Sequence, residues 1–527
     1  MARRTQLPFI SMRRSEVRFR PGAGTARRAL LLAMALVGGV AADPVAAAEP
    51  PVPDAAAPRA LDATLPLPVA DDHSAESLRL CQRALVARYG GRDRDVPLHV
   101  KAEHFEWVLD RYLWAPYHVV HHTVLLPDEP AGEREFTFGD DVATWNGPLL
   151  AALSYKYAVT GDRETLGRIA RLVDGLHFLQ TVTGQPGLIA RCALERETPL
   201  HTATLRYEAP DGTVYHVRSD AAKGTYNQVV GGYAVLMLCA YHDLPPESQA
   251  LARNDLQALV HHLVRHDYRL TERDGRRTSY GNLTPLVATV GVPFNAQLAY
   301  MIVSAGHHFP GDDPRKAKRI AREFERLRNT HHVYYESPLT HLIRPQEVGA
   351  SPFVKGMNDR NHVLNAAYVG LLIELEHTRR HGKQPDREFL FQLGQTMFWT
   401  MQHIENQLNG LCNFMWAGIL SDPGVLRAVV PGDRERTRRQ LDKVTAIGLE
   451  QLRRFPVDRF SRPGRKVPTR DPQWVDARKR GDSYWWKSGP FDRWEETGPP
   501  TNHLCASIDF LHAYWLMRYW QLADGNQ

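Results

Sequence analysis

The chain has 527 residues, 43% of them hydrophobic and 24% charged, a globular composition that excludes overall disorder and gives room for one large domain. Its formal net charge of +6 resides in residues 1–48, where eight arginines face only Glu16 and Asp43, so the remainder is close to neutral. A neutral body excludes the broad basic surface that nucleic-acid binding requires.

Residues 1–48 read as a secretory signal peptide: arginines lead into the apolar run Ala29–Ala42, and Val45-Ala46-Ala47-Ala48 supplies small residues for cleavage. That run of 14 residues falls short of the roughly 20 that cross a bilayer. The expected location is the periplasm or the exterior, with no stable membrane insertion after cleavage. Residues 49–71 form an Ala/Pro-rich linker. The folded domain is expected over 72–527.

Helical periodicity predicts twelve helices, near 73–89, 100–113, 141–159, 163–182, 222–243, 247–266, 293–306, 313–329, 359–379, 386–407, 432–453 and 502–520. Short polar turns such as Thr160-Gly161-Asp162 and the stretch 243–248 make successive helices antiparallel neighbours. Strand signals are sparse. TATLRYEA and TVYHVRS around Pro210-Asp211-Gly212 predict one β-hairpin, and HHTVLLP a further short strand. The predicted fold is therefore all-α: twelve helices in six hairpins closing into an (α/α)6 toroid with a small β-hairpin insertion. Such a ring offers a central cleft. The five cysteines, at 81, 192, 239, 412 and 505, lie in or beside apolar runs without metal-site spacing and read as buried free thiols.

Four stretches carry candidate chemistry. Asp140 and Asp141 stand at a predicted helix start, where amide donors favour anions, and Trp145 follows Asp141 by one turn. In VRSDAAKGTYNQVVGGY, Ser219 or Asp220 is the expected helix cap, while Asp220, Lys223, Tyr226 and Asn227 gather near one face after Arg218. Gly231-Gly232 permits close backbone approach. Downstream, Glu347 is a further acid, and Asn358, Asp359, Arg360 and His362 open another helix, with Asp359 and His362 three apart as an orienter and base. The loop Ser483–Phe491 is dense in aromatics, with Trp485 and Trp486 as sugar-stacking candidates. No H-E-x-x-H, G-x-S-x-G or phosphate-loop pattern occurs, so neither metal nor cofactor is expected.

The stretches FGDDVATWNGPLLAALSYKYAVTGD, GLHFLQTVTGQPGLIAR, SDAAKGTYNQVVGGY, NDRNHVLNAAYVGLLIELE and SIDFLHAYWLMRYWQL resemble the exported (α/α)6-toroid proteins of the six-hairpin glycosidase-like superfamily. The resemblance spans residues 75–520 and implies a glycan-active protein whose partner is a poly- or oligosaccharide. A glycoside hydrolase would use two carboxyl groups from Asp140, Asp141, Asp220, Glu347 and Asp359 as general acid and as base or nucleophile. A polysaccharide lyase or uronyl epimerase would use Tyr226 or His362 for proton abstraction, with Asn227, Asn358 or Asn361 and Arg218 or Arg360 on the uronate. A noncatalytic glycan-binding or assembly protein is the third alternative.

Overall fold

In the computed structural model, residues 72–138, 141–196, 203–284, 294–330, 357–404, 407–429, 434–481 and 490–524 are described. The expected signal peptide and linker lie outside them. In chain order the described elements are α1 (Ala75–Arg88), α2 (Leu98–Val108), β1 (Thr123–Leu125), β2 (Glu135–Phe136), α3 (Val142–Thr160), α4 (Arg163–Thr181) and β3 (Cys192–Glu195). Then come β4 (Leu205–Glu208), β5 (Val214–Arg218), α5 (Lys223–Cys239), α6 (Pro246–Arg265), β6 (Arg269–Thr271), β7 (Arg277–Asn282), α7 (Phe294–His308) and α8 (Pro314–Glu325). The last third holds α9 (Met357–Arg380), α10 (Arg387–Ile404), α11 (Gly410–Ser421), α12 (Pro423–Val429), α13 (Arg434–Arg454), β8 (Gly464–Pro468), β9 (Asp492–Glu496), β10 (His503–Cys505) and α14 (Ile508–Tyr519).

Helices of two kinds alternate. In α3 every residue from Val142 to Tyr155 is buried, in α5 every residue from Thr225 to Met237, and in α11 every residue from Gly410 to Leu420. Helices apolar around their whole circumference belong inside. By contrast α4 buries a stripe that includes Ile169, Leu172, Val173, Leu176 and Leu179, and α8 buries only Ile320 and Phe324. Those helices form an outer layer. Packing follows the distinction: α3, α5, α7, α9, α11 and α14 contact one another in that cyclic order, α14 returning to α3. Outside them α4 packs on α3, α6 on α5, α8 on α7, α10 on α9, α13 on α11 and α2 on α14. The architecture is all-α, with toroid-like packing and several small β-hairpins.

The two ends of this arrangement differ. Inner helices pass to outer ones through short turns: Gly161 closes α3 in the left-handed conformation, and Asp162 caps α4 by accepting from the Glu164 and Thr165 amides. Four inner helices, α3, α5, α7 and α14, are entered through β-structure. The antiparallel sheet β3–β5–β4 precedes α5, the pair β6–β7 precedes α7, and β10–β1–β2 draws on segments just before α3 and α14. Strands therefore collect where the inner helices begin.

The predicted hairpin is present, with Leu205 opposite Val217 and Glu208 opposite Val214, and β3 adds a strand that the sequence reading lacked. The predicted strand in HHTVLLP is β1. Two helix predictions need correction. Gly410–Ser421 is an inner helix that periodicity did not register, because a helix buried on all sides has no polar face to mark its turns. The helix expected over 502–520 begins only at Ile508, since His503–Cys505 pairs with β1. All five cysteines are free, four of them buried.

Backbone approach between α3 and α5 is set by two glycines. A Cβ on Gly232 would lie 2.3 Å from the Gly147 carbonyl oxygen, and one on Gly147 would lie 2.3 Å from the Gln228 oxygen. Gly232→Ala is therefore expected to destabilise the protein by about 1–3 kcal/mol through overpacking. Gly167→Ala, in α4 with open space around it, should instead stabilise by about 0.5–1 kcal/mol through helix propensity. Denaturant unfolding of the two variants checks both signs; equal effects would contradict the close approach.

Candidate functional site

Cross-helix contacts fix the direction of the inner helices. Thr144 of α3 bonds Thr225 of α5 (Oγ1 to Oγ1, 2.9 Å), Asn227 and Gln228 of α5 reach His362 of α9, and the Cys412 thiol of α11 faces Asn361 Oδ1 at 3.8 Å. Each contact joins an early turn to an early turn. Toward the other ends, Tyr155, Tyr368 and Trp520 form a bonded layer: Trp520 Nε1 donates to the Tyr368 hydroxyl at 2.8 Å, which lies 3.3 Å from that of Tyr155. The inner helices run parallel, with an aromatic layer toward one end and polar first turns toward the other.

Those first turns are unusually polar for buried helix. Buried there are Thr144 and Asn146 on α3, Thr225, Asn227 and Gln228 on α5, Asn295 and Gln297 on α7, and Asn361, His362 and Asn365 on α9. Asn409 and Asn413 take the same place on α11, and Ser507 and Asp509 on α14, while His512 stacks beside Tyr155. Some are structural. The Asn146 amide exchanges bonds with the Val120 backbone at 2.8 and 2.9 Å and donates to the Val142 carbonyl. Asn409 caps α11 through the Cys412 amide. Others are not met by protein: Asn227 Oδ1, Asn295 Oδ1, both amide atoms of Asn413 and Ser507 Oγ have no hydrogen-bond partner among the described residues. Each unmet buried polar group costs about 1–3 kcal/mol.

His362 is the centre of the described cluster. Its Nδ1 receives Asn227 Nδ2 at 3.2 Å and Gln228 Nε2 at 3.0 Å. With amide nitrogens facing it, Nδ1 accepts and Nε2 carries the hydrogen. Gly224 lies against that Nε2, where a Cβ would stand 3.0 Å away.

A second group surrounds Asp141, which precedes α3. It sits at the N-cap position, but its carboxylate makes no capping bond; Arg191 Nε and Nη2 both donate to Oδ1, at 3.0 and 2.7 Å. The Arg191 carbonyl accepts the Ala143 amide instead. Asp141 and Arg191 are thus a buried ion pair tying the start of α3 to the segment before β3. Trp145, only 3% exposed, stacks on the His122 ring at 4.7 Å and 18°, and His122 Nε2 reaches the Gly481 carbonyl at 3.3 Å.

The other sequence candidates fall in three places. Asp220 is half-buried between β5 and α5 with φ of +53°; its amide donates to Glu272 and its Oδ1 accepts from the Ser279 amide at 2.6 Å. It does not cap α5, nor does Ser219, because the helix starts at Lys223 after the N-cap Ala222. Arg218 ends β5 and Lys223 opens α5, both half-buried. Tyr226 is fully buried, its hydroxyl donating to the Gly187 carbonyl, and burial holds its phenol well above the usual range. It serves packing and does not reach His362's neighbours as a base. Asn358, Asp359 and Arg360 lie in the first turn of α9, with side chains outside the described residues. Asp140, Glu347, Trp485 and Trp486 lie outside them altogether.

The family models, curated proteins and solved structures compared with this chain gave no match. Arg191, Gln228, His122 and Asn413 are candidate site residues that sequence reasoning missed. One signal was available for part of this set: a buried amide recurs within the opening turns of the inner helices, in TWNG, TYNQ, FNAQ, NHVLN and GLCN. Breaking the buried pair at its edge, by Asp141→Asn or Arg191→Gln, should cost about 3–5 kcal/mol each, because one charge stays buried alone. In denaturant unfolding the double variant should lose less than the sum; additive losses would show that the two side chains do not interact.

Proposed function

We propose that the chain is an (α/α)6 toroid of six helical hairpins, of the six-hairpin glycosidase-like superfamily, and works as an exported glycoside hydrolase on a poly- or oligosaccharide. The cyclic contacts of the inner helices, each with an outer partner, support the ring. One observation carries the glycan reading: the inner helices bring buried amides and an imidazole to a common end, and several of their polar atoms meet no protein partner. Sugar hydroxyls both donate and accept, as amides do, and would satisfy that lining. The glycan approaches from the strand-rich end, since the aromatic layer of Tyr155, Tyr368 and Trp520 occupies the other.

Two features favour hydrolysis over elimination. Proton abstraction beside a uronate was open to Tyr226 or His362, yet the Tyr226 hydroxyl is a committed donor and His362 Nδ1 is already occupied by two amides. A carboxylate held by a guanidinium suits the opposite task. Asp141, paired with Arg191, can orient water or stabilise developing positive charge at the sugar ring. Asp359, three residues before His362 on α9, is proposed as its acidic counterpart.

Digestion of a glycan panel tests the reaction class. Hydrolysis yields new reducing ends without the ultraviolet absorbance of an unsaturated product, and Asp359→Asn should lower the rate at least about 100-fold. Unsaturated products would establish elimination instead. Binding without turnover, unchanged in Asp359→Asn, would make this a glycan-binding protein.

A further inference from the structure

A cavity of about 380 Å³ lies apart from the inner helices, between α1 and the segments around Asp458, Arg480 and Pro500. Four arginines line it, Arg79, Arg83, Arg462 and Arg480, against two carboxylates, Asp93 and Asp458. The carboxylates are engaged. Asp93 Oδ1 accepts the Val457 amide at 2.9 Å; Asp458 accepts the Phe460 amide at 2.9 Å and Arg462 Nη2 at 2.6 Å. Glu76 at the margin holds Arg83 at 2.7 Å, and Glu496 takes the other Arg462 nitrogen at 2.8 Å. Glu76 also lies 3.7 Å from Arg79, so with Glu76 and Glu496 counted the four arginines face four carboxylates.

Several donors are left over. Arg480 makes one contact, Nη1 to the Asp458 carbonyl at 3.3 Å, and meets no carboxylate among the described residues. Arg79 is fixed in place: its guanidinium stacks over Phe460 at 4.4 Å and Nη2 donates to the Thr501 carbonyl and to Asn502 Oδ1. Its Nε has no partner, and neither has Arg462 Nε. One acceptor is also unmet. Gln82 is buried with Nε2 on the Val457 carbonyl at 3.2 Å, while its Oε1 faces no protein donor.

We propose that this cavity is a binding site for a small hydroxylated oxyanion, a sugar acid or sugar phosphate. Planar guanidinium groups match carboxylate and phosphate oxygens and stay charged at every physiological pH. The volume falls in the range of small-molecule pockets, roughly 300–1,000 Å³, and leaves room for an organic body beside the charged group. The site does not depend on the glycan chemistry proposed for the inner helices, and binding here is measured without turnover.

Isothermal titration at constant ionic strength with glucuronate, glucose 6-phosphate, inorganic phosphate and neutral glucose tests the site. Saturable binding of at least one organic anion is expected, with no binding of glucose, and Arg480→Gln should weaken it tenfold or more. Inorganic phosphate binding as tightly as the organic anions would keep the oxyanion site and remove the sugar body from it. Arg83→Gln, at a side chain 60% exposed, provides a second variant should Arg480→Gln not fold, and should weaken binding in the same direction. Absence of saturable anion binding, equal binding of glucose, or undiminished affinity in both variants would overturn the assignment.

Discussion

The contact between the α3 and α5 backbones at Gly147 and Gly232 is the constraint on which the candidate site depends. With no side chain at either position, the helices approach closely enough for Thr144 to bond Thr225 and for the opening turn of α5 to stand level with that of α3. Asn227 and Gln228 are thereby placed against His362 on α9. A wedge one methyl thick would separate the pair, and interiors packed at crystal density have little slack to absorb it. The geometry at His362 is inherited from two missing Cβ atoms.

The second organising feature is the asymmetry of the two ends. Short turns such as that at Gly161 join inner to outer helices, whereas strands lead into α3, α5, α7 and α14, beside their polar first turns. Connections of the second kind are where binding residues accumulate, because a rigid scaffold can position them while their sequence varies. The buried ion pair of Asp141 and Arg191 belongs to this end and anchors the segment before β3 to the start of α3. The hydrogen-bonded tyrosines and Trp520 supply the complementary closure.

Much of the helical order was legible in the sequence, and for a physical reason: amphipathic helices such as α4, α6 and α8 announce their period through an exposed face. The inner helices reveal less. GLCNFMWAGILS has no polar stripe, so α11 escaped notice although Asn413 within it carries two unmet polar atoms. Site residues divide the same way. His362 and Asn227 stood out by their helical spacing from Asp359 and from Asp220 and Lys223, but Arg191 lies in a loop 50 residues from its partner and only the folded chain brings them together. Tyr226 misled, because one-letter proximity to Asn227 says nothing of a hydroxyl pointing to Gly187 on the opposite side. Asp220 looked like a cap because Asp before an apolar run usually is one; here a left-handed residue turns its carboxylate to Ser279.

The central claim is that a glycan is held by the first turns of the inner helices. Hydrogen exchange read by mass spectrometry, with and without an oligosaccharide selected for binding, tests it most directly. Protection is expected in the segments around Thr225–Gln228, Asn361–Asn365 and Gly410–Asn413, with no change around the Tyr155, Tyr368 and Trp520 layer. Ligand-induced protection confined to the outer helices, with those first turns unaffected, would contradict the account.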